Sequence, residues 1–372
     1  MRLSLHVLLL SAALAGATRA SAQVGQVTAG GAVYVREDSD STTVIAPRLH
    51  VGTPVGDASR VDLVYTVDVW TSASVDITAS ASKPVTEQRD EINATVSHEL
   101  EDAALSGTYR YSHEPDYESH GASLGSSFFF AEKNTTLDLR FSATLDEVGR
   151  AGFPTFEEPV RNLAAKLGLT QILGAATFGQ IAYELMNAHG FNSSPYRYVG
   201  FGSPNGLCTT DPQLWTCVPE KNPNDRLRHA AVLLMRHAFS DSWSAGLEYR
   251  FYLDSWGVMS HTAQAELNWT LELGTMFGLR YRFYSQGAAD QYQPSYSVTD
   301  TSLDYFSNDK ELSAFMAHKL AVDFEHDIEL DARGHLLSVT LTAAPSIFRY
   351  SNYRPLDQIT AIEVTLATVF KL

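Results

Sequence analysis

Residues 276–284 read Met276-Phe277-Gly278-Leu279-Arg280-Tyr281-Arg282-Phe283-Tyr284. In an extended chain successive side chains point to opposite faces. Phe277, Leu279, Tyr281 and Phe283 therefore share one face, and Gly278, Arg280, Arg282 and Tyr284 share the other. Trp243 to Asp254 repeats the design, with Trp243, Ala245, Leu247, Tyr249, Phe251 and Leu253 set against Ser244, Gly246, Glu248, Arg250, Tyr252 and Asp254. A face that is apolar and aromatic, backed by one that is charged, suits a barrel stave with lipid outside and water or ion pairs inside.

The alternation recurs along the whole chain and predicts sixteen strands. They run Val27 to Arg36, Thr43 to Val51, Val61 to Trp70, Glu91 to Leu100, Ala104 to Ser112, Ala122 to Phe130, Leu137 to Asp146 and Leu163 to Leu173. The series continues with Thr177 to Asn187, Leu227 to Phe239, Trp243 to Asp254, His261 to Leu271, Met276 to Tyr284, Leu312 to Glu325, Leu336 to Ile347 and Ile359 to Leu372. Leu163 to Leu173 and Thr177 to Asn187 are rich in Ala and Leu and would also suit a helix, which would reduce the count to fourteen. Links at 54–60, 101–103, 132–134, 240–242, 272–274 and 329–335 are short, and most of those between them are longer, reaching 188–225 and 285–309. The pattern implies an all-β fold, a transmembrane antiparallel up-and-down β-barrel, with both termini on the short-turn, periplasmic side. A secreted sandwich rarely uses so many strands with aromatic outer faces.

The first 22 residues read as an export signal: Arg2, an apolar core through Val7–Leu10 and Ala12–Leu14, and Ala20-Ser21-Ala22 as the cleavage site. Cleavage leaves residues 23–372 as the barrel and removes Arg2 and Arg19, taking the net charge from −16 to −18. No later run reaches the roughly 18 apolar residues of a membrane helix. Aromatics make up 11 % of the chain, as the two interfacial girdles of a barrel require. So acidic a surface argues against nucleic acid. Outer-membrane lipid is the expected surrounding, with lipopolysaccharide bridged through divalent cations and the acidic loops otherwise solvated.

Two segments resemble a family of bacterial proteins known only as a domain of unknown function and read as outer-membrane barrels. One is Asp68-Val69-Trp70-Thr71-Ser72-Ala73-Ser74, followed by Pro84-Val85-Thr86-Glu87-Gln88-Arg89. The other is Leu279 to Tyr292, ending Ser285-Gln286-Gly287-Ala288-Ala289-Asp290-Gln291-Tyr292, where Gln291 stands in place of an expected aromatic. The resemblance implies location and fold and brings no activity, cofactor or catalytic residue. The chain ends Val369-Phe370-Lys371-Leu372, with an aromatic two places in, a variant of the terminal signal read by barrel-insertion machinery.

The inward faces collect charge: Arg48, Asp62, Asp68, Arg140, Glu248, Arg250, Glu266, Arg280, Arg282, Lys319, Asp323 and Glu363. In a barrel of about sixteen strands these residues line a channel for a small hydrophilic solute, or else they pair and fill the interior, or a loop plugs it. The alternative role is a closed barrel that displays its loops or anchors an assembly. Cys208 and Cys217 are the only cysteines and are expected to form one structural disulfide in an oxidising compartment. His113-Glu114-Pro115-Asp116-Tyr117-Glu118-Ser119-His120 has the donors for a divalent cation, but a solvated acidic loop is the expectation. No Gly-x-Ser-x-Gly or His-Glu-x-x-His occurs, and His50 has no nucleophile near it in sequence, so the reading is not that of an enzyme, and a barrel hydrolase stands third behind the channel and the display barrel. His98 and His318 fall on lipid faces near strand ends, where interface anchoring accounts for them.

Overall fold

The structure, a computed structural model, describes residues 26–72, 74, 85–208, 216–271 and 274–372. The expected leader, residues 1–22, lies outside the described residues. The strands are β1 (Thr28–Asp38), β2 (Thr42–Val55), β3 (Ser59–Ser72), β4 (Val85–Glu99), β5 (Ala103–Glu114), β6 (Tyr117–Phe130), β7 (Thr135–Gly149), β8 (Glu157–Gly174) and β9 (Thr177–Gly190). There follow β10 (Tyr198–Phe201), β11 (Thr216–Pro219), β12 (Asp225–Ala238), β13 (Trp243–Asp254), β14 (Met259–Leu271), β15 (Thr275–Gln286), β16 (Phe315–Glu329), β17 (Leu336–Tyr350) and β18 (Gln358–Lys371).

Sixteen of these close into one antiparallel barrel in which each strand pairs with its barrel neighbours along the chain and β1 pairs with β18. β10 and β11 form a separate hairpin in the link between β9 and β12. β8 and β9 are strands, paired from Val160 with Gly190 to Gly174 with Thr177, so the Ala- and Leu-rich pair is not helical and the count is sixteen. Their outward faces supply the reason: Leu163, Leu167, Leu169, Ile181 and Tyr183 alternate with polar residues and stand exposed on the barrel surface. The ladder skips at Pro47 in β2 and at Pro345 in β17, which have no N–H to offer.

The outer surface is apolar. Leu49, Leu124, Leu145, Ile181 and Leu247 are each more than 60 % exposed. Most buried side chains in the wall are instead polar or small and face inward, such as Arg60, Glu91, Ser119, Arg226 and Glu363. The apolar clusters of buried residues lie in the loops at one end.

The two ends differ. At the end holding both termini, where Val27 and Leu372 exchange backbone hydrogen bonds, every link is short. Gly274, directly before β15, takes φ 70°, where a Cβ would lie 3.0 Å from the Asp327 side chain. At the other end the links 191–224 and 287–314 are long. The alternation of loop length is less regular than the sequence suggested, because β1–β2, β5–β6 and β13–β14 also turn tightly at this end. In particular, residues 114–119 are not a loop: β5 runs to Glu114, β6 begins at Tyr117, and only Pro115 and Asp116 make the turn.

Candidate functional site

All ten residues expected to line the lumen lie on inward faces, and most are engaged by partners on the same strand or one or two strands away. Asp62 receives Arg60 Nε at 2.9 Å and His50 Nε2 at 2.8 Å. Asp68 pairs with Arg89, which stands opposite it across β3 and β4. Arg250 binds Glu184 at 3.0 Å, and Lys166 binds the other oxygen of that carboxylate at 3.0 Å. Arg236 holds Glu266. Arg280 donates to both oxygens of Asp323 at 3.2 Å, and the Thr342 hydroxyl donates to the same carboxylate at 2.7 Å. Glu363 sits between Lys319 at 2.5 Å and Arg36 at 3.8 Å.

Four of the ten differ. Arg48, Arg140, Glu248 and Arg282 make no ion pair within 4 Å among the described residues, and Arg140 is exposed on the inner face. At longer range Glu248 still acts on Arg282, and Glu91 on Arg48. β3, bearing Asp62 and Asp68, is eight strands from β13 in either direction around the barrel, so its acids stand across the lumen from Arg250. Glu248 shares β13 with Arg250 and belongs to the same wall.

The partners Arg36, Arg60, Arg89, Arg110, Lys166, Glu184 and Arg236 complete the inner surface and were missing from the sequence-based set. Arg36, Arg110, Lys166, Glu184 and Arg236 fall within the expected strands on inward positions, so alternation alone could have found them. Arg60 and Arg89 lie just before the expected starts of their strands, which begin earlier in the structure.

Above the lumen the two long loops fold together. Val199 and Phe201 are fully buried, with the rings of Tyr296 and Phe306 each 5.1 Å from that of Phe201. Isolated bridges join Phe201 to Tyr296 and Lys221 to Phe306, and Gln291 Nε2 donates to Asn222 Oδ1 at 3.0 Å. Gln291, the departure from the expected aromatic, is thus a buried link between the loops. Buried charge accompanies the apolar core: Arg197 meets Asp309 and Glu220, and Glu220 also accepts from the Ser194 amide at 2.8 Å and the Ser307 hydroxyl at 2.5 Å. Burial, and then the neighbouring Asp309, push the Glu220 carboxyl above its ordinary range. The Cys208–Cys217 disulfide forms within this assembly.

Among the described residues this cap is tied to five links of the rim. Lys310 reaches Asp40 in the β1–β2 turn at 2.7 Å. Tyr196 donates to Asp116 in the β5–β6 turn, and its oxygen accepts from the Ala151 amide in the β7–β8 link. Arg150 donates to the Tyr198 hydroxyl at 3.0 Å. In the β13–β14 turn, Trp256 packs with Tyr292 and Leu312. There Gly257, at φ 79°, leaves no room for a Cβ, which would lie 2.3 Å from Asp290. Arg354 in the β17–β18 link donates to the Pro204 carbonyl at 2.5 Å. The second family-like segment, Leu279 to Tyr292, therefore runs from wall into cap.

The His113–His120 segment divides between the two faces. Glu114 and Asp116 join Glu87 in a carboxylate cluster at the inner rim, with oxygens within 4.8 Å of one another and a hydroxyl from Tyr196 on Asp116. Glu118 and His120 face outward, where His120 Nε2 contacts Glu118 at 3.1 Å.

The family model described as "Protein of unknown function (DUF3570)" matches residues 77–342. No curated protein matches the chain. A solved structure titled "Bacterial polysaccharide outer membrane secretin" is similar in fold, with a TM-score of 0.52 at 9 % identity, over 94 % of this chain and 99 % of that one. OccK1 (OpdK) of Pseudomonas aeruginosa aligns with a TM-score of 0.46 at 9 % identity, over 93 % of this chain and 98 % of that one. The first of these likenesses supports an outer-membrane barrel fold.

Proposed function

Starting from the premise that the chain belongs to the DUF3570 family, whose description carries no activity, we propose that it is a capped pore of the bacterial outer membrane, passing a small hydrophilic solute. The observation that carries this reading is the inner surface, where sixteen strands enclose paired charges along the wall and, among the described residues, Arg48, Arg140, Glu248 and Arg282 have no ion pair within 4 Å. A barrel of this strand number is wide enough for water. Charges of both signs on opposite walls set a transverse field that favours solutes with complementary groups.

In the same reading both termini lie in the periplasm with the short turns, and the cap faces outward toward lipopolysaccharide. The outward Phe370 near the end of β18 supplies the aromatic for insertion. The cap is the gate, since any solute entering from the loop end must pass it or displace it. A second reading rests on the tethers to five links of the rim: a cap so held also suits a closed barrel that presents its loops to a partner.

Conductance separates the two. Refolded mature protein in planar bilayers, under a salt gradient, is expected to show stepwise current with a reversal potential away from zero. R280A/R282A is expected to move that potential toward cation selectivity. Unchanged selectivity would remove Arg280 and Arg282 from the filter, and silence from inserted protein would favour the display barrel.

A further inference from the structure

Nine of the eleven described histidines face out of the barrel rather than in. Seven of them share one arrangement, with Nδ1 held by a hydroxyl on the neighbouring strand. Near the loop end, the hydroxyls of Tyr109, Tyr183, Tyr249 and Tyr281 lie 2.6–2.7 Å from Nδ1 of His120, His229, His261 and His318. The register is the same in all four, since each histidine stands opposite the residue two places beyond its tyrosine. Near the terminal end, Ser59, Thr177 and Thr275 hold Nδ1 of His98, His237 and His326 at 2.7–2.8 Å, each directly across its ladder.

The direction of the tyrosine bonds follows from two places. In a fifth pair of the same register, Tyr65 faces Asp90, a carboxylate that only accepts, so the tyrosine donates. At His120, Nε2 contacts the Glu118 carboxylate and so carries the proton, leaving Nδ1 to accept from Tyr109. With the same tyrosine donation, His229, His261 and His318 expose Nε2–H as a donor, whereas that of His120 is taken by Glu118. Among the described residues no protein acceptor is placed on Nε2 of His229, His261 or His318. An N–H donor left without an acceptor in hydrocarbon is costly.

Spacing identifies what lies outside. On β12 His229 and His237 are eight residues apart, and on β16 His318 and His326 are eight apart. Eight residues of strand span about 27 Å, and at a barrel tilt of about 40° this is roughly 20 Å along the membrane normal. The apolar band of such barrels is about 25 Å tall. Two belts of donors, one at each edge of that band, match the two acceptor layers of a bilayer.

We propose that the histidine belts bind the phosphate groups of lipid headgroups in both leaflets, with Nε2–H donating to phosphate oxygen and the Tyr, Ser or Thr hydroxyl fixing the ring. Phosphate is the strongest acceptor the headgroup layer offers. The inference rests on the barrel lying in a membrane and is independent of whether the pore conducts.

The test uses the full mature chain, labelled with ¹⁵N-histidine and inserted in phosphatidyl-lipid bilayers, with ¹⁵N–³¹P dephasing read by solid-state NMR. Dephasing at Nε2 and little at Nδ1 is expected. Insertion without dephasing at Nε2 would overturn this proposal alone, whereas failure to insert would overturn the membrane reading with it. As a second readout, unfolding is compared in phosphatidyl-lipid and in phosphate-free galactolipid bilayers. Wild type is expected to unfold several-fold more slowly in the former, with the ratio reduced in H229F/H261F/H318F, which keeps an aromatic ring at each position and removes the loop-end donors while leaving the terminal-end belt. Equal rates for wild type in the two lipids would also overturn it.

Discussion

The wall and the cap are built on opposite plans. The wall places Leu, Val and aromatic side chains outside and ion pairs inside. The cap buries Val199, Phe201, Tyr296 and Phe306 at its centre. Each plan follows from its solvent. The wall has lipid as its outer medium and must satisfy every backbone group through the closed ladder. The cap stands in water and must exclude it from a small core. Damage to one region should therefore leave the other intact, and the wall should hold while the cap yields.

The largest expected effect tests that independence. Phe201→Ala removes a fully buried ring and should cost the cap about 3–5 kcal/mol, read as protease cleavage within 191–224 while the barrel keeps its resistance to unfolding in detergent. Loss of the barrel together with the cap would break the comparison.

Leu247→Arg attacks the other plan. Leu247 is 63 % exposed on the outer face between Trp243 and Phe251, and a charge there at mid-membrane should cost about 2–4 kcal/mol. Slower insertion and a lower unfolding midpoint in bilayers would follow, with cap cleavage unchanged. A neutral result would show that this face does not meet lipid.

Removing the disulfide as C208S/C217S should cost about 2–3 kcal/mol by the loop-closure argument, confined to the cap. Faster proteolysis of the cap without a shift in barrel unfolding is the expected reading.

The smallest effect is that of pH. Glu220 has its carboxyl raised above its ordinary 4.5 by burial, so the folded cap holds this proton more tightly than the opened cap does. The stabilisation is full below the ordinary value and is lost as pH rises through the raised one. The cap should therefore be better protected at pH 5 than at pH 8, with the difference reduced in Glu220→Gln. Better protection at pH 8 would reverse the sign and contradict the assignment.

The contrast also explains what could be read from the sequence. Wall strands obey a period of two against a uniform outer medium, so Met276 to Tyr284 and Trp243 to Asp254 declare their faces without tertiary information, and the inward charges follow. Even β8 and β9, whose composition also suits a helix, keep the alternation. The cap has no such period. Its hairpin β10–β11, the Arg197–Glu220–Asp309 cluster and the junction through Gln291 join residues up to 112 positions apart, and only the fold brings them together. The 113–120 segment was misplaced for a related reason. Pro115 suggests a loop, yet the turn needs only two residues, and its donors divide between inner rim and outer surface. Cys208 and Cys217 were legible because two lone cysteines in an exported chain leave one pairing.

The central claim, a charged lumen closed by a separable cap, is tested most directly by single-channel current from wild type and Phe201→Ala in the same planar bilayer. The account predicts charge-selective steps in both, with longer open times in Phe201→Ala and the same reversal potential. Silence from both, with insertion verified, would contradict it and leave a sealed barrel.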